Sequence, residues 1–143
     1  MTSAGTIAAA TNNGIGVAGV AYQAKVVPVR VLGKCGGNNS DLADAIRWAA
    51  GVPVIGAPTN ANPVHVINLS LGGKVDSADP MKCPAVISAA IDSARSWGAI
   101  VVAAAGNIAV GEVDISANSQ FPANCPGCSP SLPRTIVTTV RIG

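Results

Sequence analysis

Ala99-Ile100-Val101-Val102-Ala103-Ala104-Ala105-Gly106-Asn107 is the stretch that decides the fold. Its first half is short, apolar and β-branched, which reads as a buried strand. It ends in small residues, then a glycine, then an amide side chain. Small residues and glycine let another backbone come close. An asparagine aimed into a dry cleft donates a hydrogen bond to a developing oxyanion.

Upstream, Gly98 stops a helix that Pro84 opens, with Val86, Ile87, Ala90, Ile91 and Ala94 at helical spacing. Before it, residues 64–71 read as a strand closed by Gly72-Gly73. A loop rich in Pro, Gly and Asn fills residues 51–62. It follows a helix capped at Ser40-Asp41, with Leu42, Ala45, Ile46 and Ala49 on one face. Residues 25–32 are a β-branched strand, weakened at Pro28, and Gly33-Lys34-Cys35-Gly36-Gly37 ends it. Residues 4–10 suit a helix and run into the turn Thr11-Asn12-Asn13-Gly14. Strand, helix, strand, helix, strand is a parallel α/β pattern. Ligands on such sheets bind beyond the C-terminal strand ends. Three ends therefore matter: residues 33–37, 70–73 and 106–107.

Composition fits one domain. The 143 residues can bury a core, and 49% apolar against 3% aromatic content makes that core Ala, Val and Ile. Charged residues are 11%, and a net charge of +2 on scattered basic residues argues against a nucleic-acid partner. The apolar run at 99–105 has seven residues, too few to span a bilayer. The first residues carry no basic-then-apolar leader, so the chain is expected to stay cytoplasmic as expressed. Cys35 and Cys83 lie in loops bounded by glycine or proline, which suits a disulfide. Four cysteines allow three full pairings, and the spacing leaves these open beside free thiols.

Six segments in register carry a resemblance: Ala4-Gly5-Thr6-Ile7-Ala8-Ala9, Asn12 to Ala21, Val31-Leu32-Gly33, Val66-Ile67-Asn68-Leu69-Ser70-Leu71-Gly72-Gly73, Val101 to Asn107, and Phe121-Pro122-Ala123. Each alone also reads as a plain turn or cap. Together they resemble the subtilisin-like serine peptidases over residues 4–127. The cysteines and the Pro-Ala-Asn-Cys-Pro run are similar to the extracellular bacterial branch. The resemblance implies a three-layer α/β fold with a parallel sheet and flanking helices, here truncated. It implies that Asn107 is the oxyanion donor. Ser70, Leu71 and Gly72, with Ala104, Ala105 and Gly106, would wall the primary specificity pocket. Gly36 and Gly37 would pair with an extended peptide by β-augmentation. Thr11, Asn13, Ile15 and Val17 would belong to a calcium loop, offering hard oxygen ligands. One residue inserted before this turn, and segments missing elsewhere, make that calcium site incomplete. The family is secreted.

The family's catalytic histidine would fall two positions before Met1, and its aspartate further upstream. No Gly-Thr-Ser-Met nucleophile motif precedes Gly143. The sequence thus retains an oxyanion asparagine and pocket walls without the triad. The tail at 128–143, Cys128-Ser129-Pro130-Ser131-Leu132-Pro133-Arg134 onward, departs from the expected apolar strand and suggests a reading-frame shift near Gly127. In that reading Cys128 is accidental and Cys125 lacks its natural partner. Residues 135–142 still alternate enough to pair as a strand.

Three functions compete: an inactive peptidase core, a small serine hydrolase or esterase improvising a site from Ser70, His65 or an intermolecular contact, and a peptide-binding or assembly module. His65 and Ser70 lie five residues apart on one strand, roughly 16 Å at about 3.3 Å per residue, so they do not form a dyad within one chain. Truncation of the sheet exposes strand edges, and a homo-oligomer is expected.

Overall fold

The computed structural model describes residues 3–74, 83–105, 120–131 and 138–141. In chain order these form α1 (Ser3–Ala8), β1 (Lys25–Val27), α2 (Asn39–Ala50), β2 (Val66–Leu69), β3 (Gly73–Lys74), α3 (Ala85–Ser96), β4 (Ile100–Ala104), β5 (Gln120–Phe121), β6 (Cys128–Ser131) and β7 (Thr138–Arg141).

The cap of α2 lies two residues before the expected one, because Asn38 supplies the acceptor. Its Oδ1 accepts the Asp41 N–H at 2.8 Å and the Ser40 hydroxyl at 2.6 Å. Gly51, in the left-handed region at φ 95°, closes the helix by donating its N–H to the Trp48 carbonyl at 3.0 Å. The loop beyond is pinned back onto this end. The buried Asn60 amide donates to the carbonyls of Trp48 and Ala49, and its Oδ1 accepts the Asn62 N–H. α3 starts behind Pro84 and buries Ile87, Ala90, Ile91 and Ala94, the spacing read from the sequence.

Strands are shorter than the sequence implied. β1 stops at Val27 because Pro28 has no N–H for a ladder. β2 and β4 pair in parallel, Ile67 opposite Val101 and Leu69 opposite Ala103. These four are buried on α2 and α3, whereas Val66 and Ile100 on the alternate face are not. Burying Ile67, Ile87, Ile91 and Val101 contributes about 1.5–3 kcal/mol each. Alanines at 43, 49, 90 and 94 let the two helices and the sheet approach closely.

The five-stranded sheet runs β1-β7-β2-β4-β6, with β3 and β5 in a separate two-stranded ribbon. The tail makes two strands, not one. β6 adds in parallel beside β4, Ala103 opposite Pro130, where the sequence marked only an atypical segment. β7 falls inside the expected 135–142 strand and runs antiparallel between β1 and β2.

The disulfide joins Cys83 to Cys125. Cys125 therefore keeps a partner, contrary to the sequence reading, and Cys35 is free and exposed between Gly33 and Gly36. The Cys128 thiol is half-buried, and desolvation pushes its pKa up to about 11.

Two outcomes follow. The disulfide closes a loop of 42 residues, which by chain entropy stabilises by about 4 kcal/mol. In a Cys35→Ser, Cys128→Ser background, reductant is expected to lower the unfolding free energy by up to that amount in urea titration. Equal curves with and without reductant would contradict the pairing. In the parent chain at pH 8, iodoacetamide should modify Cys35 while sparing Cys128. Because burial favours the neutral thiol, Cys128 alkylation should rise only as pH climbs toward 11, a pattern readable by mass spectrometry.

Candidate functional site

The parallel ladder brings the ends of β2 and β4 side by side. Leu69 lies opposite Ala103, so the chain leaves the sheet at Ser70-Leu71-Gly72 next to Ala104-Ala105. All but Gly72 are partly buried. Asn68 Nδ2 donates to Ser70 Oγ at 2.8 Å, which orients that hydroxyl. Two pocket walls expected from the sequence are thus adjacent. Gly106 and Asn107 lie outside the described residues.

Gly36 and Gly37 come from the loop after residue 32. Gly33 and Gly36 exchange backbone hydrogen bonds at 2.8 and 3.3 Å, and Gly36 adopts φ 98°, which favours glycine. Gly37 has a tighter reason: a Cβ there would run into the Val31 carbonyl and meet Leu32. Gly37 joins Leu71 and Gly72 in lining a cavity of about 170 Å³. Val31, Leu32, Leu42 and Phe121 make its apolar wall, beside Asn38 at the start of α2.

The sequence reading missed Leu42 and Phe121 as cavity residues. Leu42 carried a signal as the first apolar position of α2, but its spacing marked only core. Phe121 reaches the cavity because β5 pairs with β3, Gly73 opposite Phe121. That pairing also explains Gly72, where a Cβ would strike the Phe121 carbonyl.

His65 is exposed just before β2, and its carbonyl accepts the Ile100 N–H at 2.8 Å. It stands at the opposite end of β2 from Ser70. The structure keeps the two apart.

Thr11, Asn13, Ile15 and Val17 lie in an open turn, exposed except for partly buried Thr11. Asn12, Gly14 and Gly16 take positive φ of 58°, 70° and 68°. Asn13 Oδ1 accepts the Ile15 N–H at 3.0 Å, an Asx-turn that engages the one side-chain amide oxygen in the set. Calcium takes six to eight oxygens, carboxylates prominent among them. Four neutral oxygens, one already engaged, do not fit that demand. Among the described residues no group of three His, Cys, Asp or Glu side chains could hold a metal ion. No helix among them is long and apolar enough to cross a membrane.

A sequence profile of the Subtilase family matches residues 1–140. The chain is 56% identical over 122 residues to an extracellular protease of Xanthomonas campestris pv. campestris, covering 85% of this chain and 19% of that protein. It is 49% identical over 122 residues to an extracellular basic protease of Dichelobacter nodosus, covering 85% and 18%. Against Subtilisin Savinase of Lederbergia lenta it is 42% identical over 115 residues, covering 80% and 36%. The chain thus spans about a fifth of the length of the first two relatives. Among solved structures, a protease of Pseudoalteromonas arctica PAMC 21717 superposes with a TM-score of 0.79 at 53% identity, over 91% of this chain and 35% of that one. These matches lead to one conclusion: the chain belongs to the Subtilase family.

Proposed function

We propose that this chain is a subtilase core that holds an extended peptide without cleaving it. The observation that carries the reading is the apolar cavity of about 170 Å³ where Gly37, Leu71 and Gly72 converge. A peptide lying along Gly36-Gly37 would pair through its backbone and seat one apolar side chain there. Ala104 and Ala105, beside Ser70, Leu71 and Gly72, would wall a neighbouring pocket, a role that the family resemblance extends to Gly106. Asn107 would donate to an oxyanion if a nucleophile were supplied.

None is supplied within the sequence. Its single histidine stands at the wrong end of β2, and no Gly-Thr-Ser-Met motif is present. In related catalysis, an oxyanion hole and binding alone leave about 10³-fold acceleration over water, too little for a peptidase. A small activated ester, whose leaving group needs less help, is the substrate on which residual hydrolysis would be visible. An esterase using Ser70 is the second reading, favoured only by the oriented Ser70 hydroxyl. We also propose that the turn at 11–17 retains part of a calcium donor set and binds the ion too weakly to stabilise the fold. Self-association would use β1 and β6, the outer strands of the sheet. The frame-shift reading of the tail predicts a family-like apolar strand in another frame of the coding nucleotides.

A fluorophosphonate probe is expected to leave the chain unlabelled, and casein to remain intact. Stoichiometric labelling mapped to Ser70 would establish the esterase reading instead. A fluorescent peptide with a branched apolar side chain should bind saturably. Leu71→Trp, which fills the cavity, should weaken it about tenfold or more with little change in Tm. Unchanged affinity in that variant would remove the cavity from the peptide site.

A further inference from the structure

Asn13-Gly14 is the single Asn-Gly step in the chain. It stands at the tip of the loop that follows α1, and the base of that loop is firmly held. Gly19 donates its N–H to the Ala9 carbonyl at 3.1 Å, Val20 to Thr6 at 3.0 Å and Ala21 to Ile7 at 2.7 Å. Gly19 is buried, and a Cβ there would run into the backbone of Ala8 and Ala9. The tip is the opposite. Residues 12–18 are exposed, and a Cβ at Gly14 or Gly16 would meet nothing within 4 Å.

This tip carries the parts of a nucleophilic displacement on neighbouring atoms. The nucleophile is the Gly14 backbone nitrogen, whose N–H has no hydrogen-bond acceptor among the described residues. The electrophile is Cγ of Asn13, whose Oδ1 accepts the Ile15 N–H at 3.0 Å. That donor sits where negative charge develops during attack, and a donor fixed at such a point lowers the barrier. The leaving nitrogen, Asn13 Nδ2, makes no hydrogen bond among the described residues and is open to water. Gly14 brings no side chain to crowd the ring that forms, and its φ of 70° is one that glycine enters readily. Asn60 is the contrast. Its Oδ1 accepts the Asn62 N–H at 2.8 Å, the same local turn. There Nδ2 is held by the carbonyls of Trp48 and Ala49, the residue is only 8% exposed, and Ala61 follows it.

We propose that Asn13-Gly14 is a self-modification site, at which the native turn converts its own amide into a carboxylate. Hydroxide removes the Gly14 amide proton, and the nitrogen attacks Cγ of Asn13. The N–Cγ bond forms, the Cγ–Nδ2 bond breaks, and Nδ2 leaves as ammonia with a proton from water. A cyclic imide remains. Water then adds to one of its two carbonyls. Breaking the ring at Cγ gives aspartate, and breaking it at the Asn13 backbone carbonyl gives isoaspartate. The sum is one water consumed and one ammonia released, with nothing oxidised or reduced. Residues 11–17 carry no charge before the reaction, so the turn acquires its first. Because residues 19–21 pin the loop to α1, the fold persists while the tip changes. The site is separate from the cavity at Gly37 and Leu71 and does not depend on the peptide-holding reading.

The test incubates the full chain at pH 8 and follows each asparagine by peptide mass spectrometry, with isoaspartate methyltransferase labelling as a second readout. Asn13 should convert while Asn60 stays an amide, and conversion should quicken as pH rises, since the attacking nitrogen must lose its proton. Ile15→Pro removes the donor to Oδ1. It should slow native conversion about tenfold, less than the roughly hundredfold loss of an enclosed oxyanion donor, because the turn is wet. In concentrated urea the turn is lost, so parent and variant should convert at one rate, slower than the native parent. Four results would each overturn the proposal: no conversion at Asn13, equal native conversion of Asn13 and Asn60, a native parent no faster than the parent in urea, or a native Ile15→Pro rate equal to the parent's.

Discussion

The parallel pairing of β2 with β4 is the constraint on which the rest depends. It sets Ile67 beside Val101 and Leu69 beside Ala103, all turned toward α2 and α3. Those helices bury five alanines, at 43, 49, 50, 90 and 94, so the layers lie close and the core needs no large ring. The same ladder forces both strands to end together. Ser70-Leu71-Gly72 and Ala104-Ala105 are neighbours because of hydrogen bonds formed several residues earlier. The candidate site is therefore a consequence of strand register.

Much of this was legible in the chain. The helical spacing of Leu42, Ile46 and Ala49, and of Ile87, Ile91 and Ala94, identified the buried faces, because period 3.6 survives any change of neighbour. Glycines 51 and 98 stop the helices in left-handed backbone, as their positions implied. What escaped the reading depends on partners distant in sequence. Asn38 outcompetes Ser40 as the cap because its amide oxygen reaches the Asp41 N–H, a matter of local geometry. Cys83 finds Cys125 and not Cys35 because α3 and β4 carry the chain back to its own starting loop. No loop composition reports that. β6 forms from Cys-Ser-Pro-Ser, a weak strand sequence, because the neighbouring edge of β4 provides the ladder.

The site divides the same way. The strand-end residues were readable, since a βαβ order places its C-terminal ends on one side. Leu42 and Phe121 were not readable as cavity residues, because one arrives on a helix and the other through the short β3–β5 ribbon. The resemblance implies that Gly37 pairs with a peptide backbone and that Gly72 walls a pocket. The structure adds that each is also obligatory for packing, against the Val31 and Phe121 carbonyls. Ligand access and steric necessity coincide there, so selection for either would retain glycine.

The Cys83–Cys125 bond has a topological meaning besides its entropy. It makes a covalent ring containing α3, β4 and the stretch of chain from residue 105 to residue 124. A peptide-bond cut at one place within that ring leaves both products joined through sulfur, with the ends of β2 and β4 still able to lie together. Damage to the segment around Asn107 would then be silent in molecular mass, apart from one added water, until the ring is reduced.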